Sequence, residues 1–580
     1  MTYVPPVTEQ RFVLDHVVKI GELAENPRFA GASPDMVDAI LDGIGQLAAG
    51  EYAPLNRHGD THNPQWRDGK VTMPEGFKAA YRAFVEGGWG SIDGPEAYGG
   101  QGLPFTLAGC VIESLGTANM GLTLINLLTP GSIHALMAYG SEEQKALWLP
   151  KLVSGEWNGT MNLTEPGAGS DVGALRTMAE PANDGLWRIK GQKIYITFGE
   201  HDLTDNIVHL VLARTPDAPA GTRGISLFLV PKYRLDEAGQ PTIDNGVRCR
   251  SIEHKLGLHN SPTCVMAYGE DGVDSLGELI GEVNGGMRAM FVMMNNARLM
   301  VGNQGIQISE RATQQAVGYA RDRVQSARAS APGAGPVAII EHPDVRRMLL
   351  RMKALTQGAR ALVYYACGQV DRGTLGDSAA AMRAEVLTPL AKSWATDAGC
   401  EVASIGIQVH GGMGFVEETG AAQHYRDARI APIYEGTNGI QAADLVGRKL
   451  GIGNGEPLDA LITDIAAGAH NEAALERLAS DCAEVTTWMR SADVDDRLAG
   501  SADFLAMLSV ATAGWLMAEQ LKAAQGMRAR GEADPVFLDG KIAAARFFLD
   551  RIVPEASGRK AGAMAGAGGL YAIDSAAFAA

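Results

Sequence analysis

The spacing of apolar residues changes twice along the chain, from helical to strand-like and back to helical. From residue 35 to about residue 157, apolar positions recur at helical spacing between Gly and Pro breaks, which predicts a helical region. From residue 159 to about residue 280, short runs rich in β-branched and aromatic residues alternate with Gly, Pro and Asp turns. Runs such as NIVHLVLART and GISLFLVPKY predict a module of antiparallel strands.

Helical patterns return after the strands and continue to near the end of the chain. They predict helices over 286–325, 342–372, 377–410 and 438–450, and the Gly-rich segment 451–457 predicts a linker before further helices. Runs of strands between runs of helices do not form a doubly wound sheet. We therefore predict an N-terminal arm (1–34), an N-terminal helical domain (35–158), a middle β domain (159–280), a C-terminal helical bundle (281–450) and an additional helical domain (458–580).

Composition and charge limit the classes of protein to which the chain could belong. The 580 residues are 46% hydrophobic and 20% charged, as in a globular enzyme, and the net charge of −17 repels nucleic acid and anionic lipid. The longest uncharged apolar stretch, residues 504–518, is shorter than the about 20 residues that a membrane-spanning helix needs. The opening MTYVPPVTEQRFVLDHVV has charges where a signal peptide has an apolar core. We expect a soluble, cytoplasmic protein with neither nucleic-acid nor membrane partners.

The sequence lacks the motifs that mark several common classes of binding site. The six cysteines are scattered without a C-x-x-C pair, which argues against a disulfide framework and a zinc site, so no metal is predicted. No G-x-G-x-x-G lies between a strand and a helix, and no G-x-x-x-x-G-K-[ST] occurs. A nicotinamide enzyme of the Rossmann type and a nucleotide hydrolase are therefore both disfavoured.

Two stretches carry candidate chemistry. The segment MNLTEPGAGSDVGALRT (161–177) forms a Gly-rich turn in which Thr164, Ser170 and free N–H groups could bind a planar, polar or anionic ligand, although a plain interdomain loop has the same composition. The segment IYEGTNGIQ (433–441) holds one carboxylate, Glu435, between an aromatic residue and small or amide residues. From the residues alone, Glu435 is either a solvated loop carboxylate or a catalytic base.

Four segments, in order, resemble signatures of the acyl-CoA dehydrogenase family. Residues 161–177 resemble its flavin-binding loop, and KIYIT (193–197) resembles its flavin-stacking strand, with Tyr195 where many members have Trp. IQVHGGMGF (407–415) and RDARIAPIYEGTNGIQ (426–441) resemble its two C-terminal signatures. The resemblance covers at least residues 35–450.

This resemblance implies a mainly α fold with a central β domain: an N-terminal helical domain, an antiparallel β domain and a C-terminal four-helix bundle, here with an extra C-terminal helical domain. It also implies bound FAD, with a contribution from a neighbouring subunit. Ser326 departs from the family pattern, since many members have an aromatic residue there. The positions that match flavin contacts are Met161, Thr164, Gly169, Ser170, Tyr195, Thr197, Arg323, Gln408, Gly411, Gly412, Thr437 and Gln441.

The implied reaction is α,β-dehydrogenation of an acyl-CoA thioester to the trans-2-enoyl-CoA, with Glu435 as the base. In this family the backbone N–H of the base residue and a flavin ribityl hydroxyl polarise the thioester carbonyl. Some members carry the base just before the arginine of the first bundle helix, but that position is Ala297 here. The positions expected to contact substrate are Ser170, Asn295, Arg298 and Tyr434.

The arm sequence EQRFVLDHV and the added domain resemble the branch of the family that acts on 3-methylthiopropanoyl-CoA. The alternatives are a general short- or medium-chain dehydrogenase of β-oxidation and an acyl-CoA oxidase that uses oxygen. A DNA-binding role for the added domain is disfavoured, since residues 451–580 hold 11 Lys and Arg against 18 Asp and Glu. The expected partners are acyl-CoA, an electron-transfer flavoprotein and a second copy of the chain, with a dimer favoured over a tetramer.

Overall fold

The computed structural model describes residues 3–579 and divides the chain into two compact units. One unit is Asp42–Ala297, and the other joins the N-terminal segment through Leu41 to the chain from Arg298 onward. Residues 1, 2 and 580, at the ends of the predicted arm and added domain, lie outside the described residues.

Helices precede and follow a block of strands, in the predicted order. The α-helices are α1 (Val7–Val13), α2 (Ile20–Ala24), α3 (Pro34–Leu47), α4 (Ala53–Thr61), α5 (Phe77–Glu86), α6 (Phe105–Thr123), α7 (Ile125–Tyr139), α8 (Glu142–Ser154), α9 (Gly286–Asp322), α10 (Pro343–Thr374), α11 (Ser378–His410), α12 (Ala421–Ala428), α13 (Asn438–Gly447), α14 (Glu456–Ala467), α15 (Ala473–Ser491), α16 (Val494–Arg530), α17 (Pro535–Phe547), α18 (Val553–Ser557), α19 (Lys560–Ala563) and α20 (Gly568–Tyr571). The strands are β1 (Gln65–Arg67), β2 (Lys70–Thr72), β3 (Trp157–Asn162), β4 (Met178–Pro181), β5 (Trp187–Thr197), β6 (Asn206–Arg214), β7 (Ile225–Pro231), β8 (Tyr233–Leu235), β9 (Pro241–Asp244), β10 (Arg248–Ile252), β11 (Thr263–Tyr268) and β12 (Ser275–Ile280).

An eight-stranded sheet forms the centre of the Asp42–Ala297 unit. Its strand order is β10-β11-β5-β12-β7-β6-β3, with β4 beside β5 and β6. Strands β6 and β7 are buried almost throughout, which explains why their sequences are continuous apolar runs rather than alternating ones. Most pairs are antiparallel as predicted, but β3 runs parallel to β6. A parallel pair is possible here because β4 and β5 lie between these two strands in the chain, so no hairpin turn joins them.

Strand β5 contains a bulge that exposes an aromatic side chain. On the neighbouring strand β11, Cys264 pairs with Ile196 and Met266 pairs with Lys193, so two residues of β5 oppose one of β11. Tyr195 is one of these two, with a φ of +60° and a side chain that is 60% exposed. Bulges of this kind redirect side chains out of a sheet.

In the other unit, α9 and α11 cross at small residues. A Cβ added to Gly305 would lie 2.0 Å from the carbonyl oxygen of Ala395, and one added to Gly399 would lie 3.0 Å from the Cα of Gly305. Only glycine allows this backbone approach. The crossing fixes the middle of α11, which carries one of the charged groups near Glu435.

Helix α16 has the length and hydropathy of a membrane span, with a mean hydropathy of 1.3 over its most apolar window. The bent pair α6 and α7, which breaks by 99°, passes the same test only if it is taken as one span. Within the fold, 78% of the α16 window is buried against other parts of the protein, which is the pattern of a core helix.

Candidate active site

Glu435 lies in the connection between α12 and α13, and local hydrogen bonds shape this connection. The N–H of Asn438 donates to the carbonyl oxygen of Pro432 at 3.0 Å. Thr437 caps α13, since its hydroxyl oxygen accepts from the N–H of Ile440 at 3.1 Å. The helix therefore begins at Asn438, shortly after Glu435, and the carboxylate is held in a defined turn.

The turn at Glu435 has an unusual backbone that a buried amide supports. Glu435 has a φ of +53° and Gly436 a φ of +80°. The side-chain amide of Gln441 donates to the carbonyl oxygens of both residues at 3.4 Å. Non-glycine residues in the left-handed region are uncommon and concentrate at functional sites, where the surrounding structure holds them. Gln441, predicted as a flavin contact, is thus also a support of the turn.

The environment of the Glu435 carboxyl differs from that of a solvated loop acid. The residue is half-buried, and desolvation raises the pKa of its carboxyl above the usual value. The positive charges of Arg298 on α9 and Lys392 on α11 lower this pKa, but they do not cancel the effect of burial. A carboxylate with a raised pKa that also interacts electrostatically with two cations has the properties expected of a general base.

Lys392 is a charged residue of the site that the sequence analysis missed. Its side chain is fully buried, and its Nζ donates to the amide oxygen of Asn438 at 2.9 Å. Burial lowers the pKa of Lys392 to about 8, while the charges of Glu435 and Asp397 raise it and that of Arg298 lowers it. Lysine is rarely buried without a partner. Asn438 follows the Glu435 turn, so it joins the turn to α11.

Two of the predicted substrate contacts lie near Glu435 within this unit. Arg298 is 6% exposed, and its Nε has no hydrogen-bond acceptor among residues 3–579. Burial lowers the pKa of Arg298, which the charges of Asp444 and Glu435 oppose. The hydroxyl of Tyr434 donates to the side-chain oxygen of Gln304 on α9, and burial raises its pKa.

Four predicted flavin contacts of this unit lie at helix ends. Arg323 follows the last residue of α9, Gln408 lies in the last turn of α11, and Gly411 and Gly412 follow that helix. All four are exposed, so they remain available to a ligand or to a second chain. Their roles stay predictions.

The other predicted contacts lie in the Asp42–Ala297 unit. Met161 is buried in β3, whereas Thr164 is half-buried and Gly169 and Ser170 are exposed in the following loop. Thr197 ends β5, two residues after the exposed Tyr195. Asn295 is half-buried in the N-terminal half of α9.

The structure brings the predicted flavin loop next to β5. The N–H of Ile194 donates to the carbonyl oxygen of Thr164 at 2.9 Å, which places Thr164 beside the bulge that carries Tyr195. A Cβ built on Gly167 or Gly169 would meet no atom within 4 Å, so the backbone there is open to a ligand. An open backbone loop beside an exposed aromatic ring fits a planar, polar group such as a flavin.

Comparison with family models assigns nearly the whole chain. The acyl-CoA dehydrogenase N-terminal, middle and C-terminal domain models match residues 38–156, 160–269 and 284–450. A model described as acetyl-CoA dehydrogenase C-terminal like matches residues 459–574. The chain belongs to the acyl-CoA dehydrogenase family and is an FAD-dependent oxidoreductase that acts on acyl-CoA. The predicted family, fold class, enzyme class and cofactor are confirmed.

Individual relatives match most of the length of the chain. The chain is 45% identical over 576 residues to 3-methylmercaptopropionyl-CoA dehydrogenase of Ruegeria pomeroyi, covering 96% of this chain and 97% of that one. It is 37% identical to a butyryl-CoA dehydrogenase of Syntrophomonas wolfei, with 90% of each chain covered. Among solved structures, Caenorhabditis elegans ACDH-11 in complex with C11-CoA superposes with a TM-score of 0.78 at 19% identity, covering 96% of this chain and 93% of that one, which shows the shared fold.

Proposed function

We propose that this protein oxidises 3-methylthiopropanoyl-CoA to its trans-2-enoyl-CoA, with Glu435 as the catalytic base. The observation that carries the role of Glu435 is its half-buried position in a left-handed turn, where its carboxyl interacts electrostatically with Arg298 and Lys392. The proposed substrate is supported by the 45% identity to the Ruegeria pomeroyi enzyme, in a match that covers 96% of this chain and so is not confined to the shared core.

In this mechanism a carboxylate oxygen of Glu435 accepts the proton from the α-carbon of the thioester. Desolvation raises the proton affinity of the carboxylate, and the charges of Arg298 and Lys392 oppose this by favouring the ionised form, which is the form that accepts the proton. The predicted contacts around Thr164 and Tyr195 would hold FAD, which would supply the redox chemistry as the acceptor of the β-hydrogen. We assign to the backbone N–H of Glu435 a hydrogen bond to the thioester carbonyl, where charge develops as the proton leaves.

A general short-chain dehydrogenase is the second candidate, because the chain also resembles a butyryl-CoA dehydrogenase over 90% of its length. A thioether and a methylene chain have similar shape, and one such group changes transition-state binding in an apolar pocket by only about 1–3 kcal/mol. Some activity with butanoyl-CoA is therefore expected even if the thioether substrate is preferred.

We expect the purified protein to be yellow with one FAD per chain, and its flavin to bleach anaerobically on addition of 3-methylthiopropanoyl-CoA. Anaerobic stopped-flow reduction with that substrate, butanoyl-CoA and palmitoyl-CoA tests both the reaction and its chain-length range. The thioether substrate should give the highest kcat/KM, with butanoyl-CoA next, since each extra buried group changes binding only modestly. A highest value for palmitoyl-CoA would contradict the substrate assignment, and no bleaching with any thioester would contradict the reaction.

Further proposals are electron-transfer flavoprotein as acceptor, a homodimer, a cytoplasmic location and the bounds of the five predicted segments of the chain. Oxygen consumption during turnover distinguishes an oxidase from a dehydrogenase, since only an oxidase passes its electrons to oxygen. Sedimentation velocity of the holoenzyme distinguishes a dimer from a tetramer.

Replacing Lys392 by Met should move the acidic limb of the kcat/KM profile to higher pH. The base must be ionised to accept the α-proton, so activity rises as pH passes the pKa of Glu435. Lys392 lowers this pKa, and removing its charge therefore raises it further, while Arg298, Asp397 and Tyr434 remain. The control is Lys392→Arg, which keeps the charge. An unmoved limb in Lys392→Met would show that this charge does not act on the base.

A further inference from the structure

A buried ion pair joins the loop of residues 161–177, here called the flavin loop, to strand β5. The Nζ of Lys193 donates to Oε1 of Glu165 at 2.8 Å and to the carbonyl oxygen of Leu163 at 3.0 Å. The side chain of Lys193 is 0% exposed and that of Glu165 is 7% exposed. Both residues therefore lie beneath the loop rather than on its open surface.

The Glu165 carboxylate also ties the start of the loop to its end. Its Oε2 accepts from the N–H of Arg176 at 2.6 Å, and its Oε1 accepts from the N–H and the hydroxyl of Thr177 at 3.1 and 2.6 Å. Backbone bonds between Glu165 and Ala168, at 3.0 and 3.1 Å, close the turn between these points. One carboxylate thus fixes both ends of the Gly-rich segment.

The pair links two groups of predicted flavin contacts, those in the flavin loop and those in strand β5. Glu165 directly follows Thr164, and Lys193 lies two residues before Tyr195 in the bulge of β5. A shift of either charged group would therefore move the loop relative to the exposed Tyr195 ring. Neither member of the pair is exposed enough to touch a ligand itself.

The energetics favour a role in conformation over one in overall stability. Burial lowers the pKa of Lys193 to about 8 against the attraction of Glu165. Burial alone would raise the pKa of Glu165, but Lys193, Thr177 and the N–H of Arg176 lower it overall. Replacement of a buried ion pair by apolar residues is often neutral or stabilising, so the pair is not needed simply to hold the sheet. What apolar residues cannot supply is the directional set of hydrogen bonds that fixes one loop conformation.

We propose that Glu165 and Lys193 form a positioning pair that holds the flavin loop in the conformation that binds FAD. The inference rests on the FAD dependence of the family and assigns a role to two residues that the sequence analysis did not single out. The pair acts through the loop and takes no part in the transfer of proton or hydride.

The test uses the full-length protein with FAD removed, in four forms: wild type, Glu165→Gln, Lys193→Met and the double variant. FAD affinity is measured by titration of flavin fluorescence, and stability by the Tm of each apoprotein. Each single variant should bind FAD at least about tenfold more weakly, a loss of about 1.4 kcal/mol. The double variant, which leaves no unpaired charge, should recover most of the Tm but not the FAD affinity.

The matched control is Lys232→Met. Lys232 belongs to a second, partly buried ion pair in the same unit, in which its Nζ lies 2.5 Å from the Glu200 carboxylate. This variant should lower the Tm without a tenfold loss of FAD affinity. Wild-type FAD affinity in the double variant would overturn the positioning role and leave the pair purely structural. Failure of the wild-type apoprotein to take up FAD would instead overturn the proposed function, so the two failures are distinguishable.

Discussion

Glu435→Gln should lose turnover by at least about 10²–10⁴-fold, the range credited to a positioned general base, while it still binds FAD and acyl-CoA. Gln keeps the size of the side chain and its ability to form hydrogen bonds, but it cannot accept the α-proton. The turn should survive the change, because Gln441 supports it through the backbone carbonyls of residues 435 and 436 rather than through the carboxylate. The decisive measurement is the anaerobic rate of flavin reduction by substrate in the variant.

The matched control for this prediction is Glu418→Gln. Glu418 is an exposed glutamate in the short 3-10 turn Glu417–Thr419, close to Glu435 in the sequence. In the Glu418→Gln variant, substrate should reduce the flavin at the wild-type rate. Fast bleaching in Glu435→Gln would return Glu435 to the alternative of a solvated loop carboxylate.

Glu9→Ala should lower the free energy of unfolding by about 3–5 kcal/mol, the usual cost of removing one partner of a buried ion pair. Glu9 lies in α1, where its carboxylate accepts from the Nζ of Lys541 on α17 at 2.6 Å and from the amide of Gln357 at 3.2 Å. The Nζ of Lys541 also lies 4.7 Å from the centroid of the Phe12 ring. Without Glu9, the buried Lys541 loses its main counter-charge, which its neighbours cannot replace.

Denaturant unfolding of the holoenzyme measures this effect, with Glu532→Gln as the control. Glu532 pairs with Arg530 at the exposed end of α16, so its removal should leave the midpoint unchanged. The fold lowers the pKa of Glu9, mainly through Lys541 and against the effect of burial. Its contribution is therefore present above the unfolded pKa and is lost as pH falls through the lower folded pKa, so the difference between Glu9→Ala and wild type should shrink in acid. If Glu9→Ala and wild type unfolded at the same denaturant midpoint at neutral pH, the stabilising role of the Glu9–Lys541 pair would be contradicted.

Local signals in the sequence are able to predict an element when the cause of its structure is local. The start of α8 is an example: the Ser141 hydroxyl accepts from the N–H of Gln144, and the Gln144 side-chain oxygen accepts from the N–H of Ser141. These bonds form the capping box that the residues SEEQ encode. A similar signal was overlooked between β1 and β2, where Asp68 and Gly69 form the turn with φ values of +50° and +81°. An Asp-Gly pair between short runs is a strong hairpin signal.

The sequence patterns predicted some residues of the site and not others. Glu435 was found because its surrounding motif is contiguous in the chain. Lys392 was missed, although it is the one charged residue in the buried stretch Val386–Thr396 of α11, a position that lysine seldom occupies without a partner. Glu165 and Lys193 were missed in the same way, because each was read as part of a motif rather than as half of a pair.

By itself the sequence determined the order of helices and strands, the family and the identity of the candidate base, because periodicity, turn residues and contiguous motifs are written along the chain. The residues alone left open whether Glu435 is a solvated loop carboxylate or a catalytic base. Only the tertiary structure favours the catalytic base. A pKa depends on desolvation and on charges within a few ångströms, and here those charges come from α9 and α11, which are distant in sequence. The bulge that exposes Tyr195 likewise depends on its pairing with β11, since the residues of β5 alone do not fix the register.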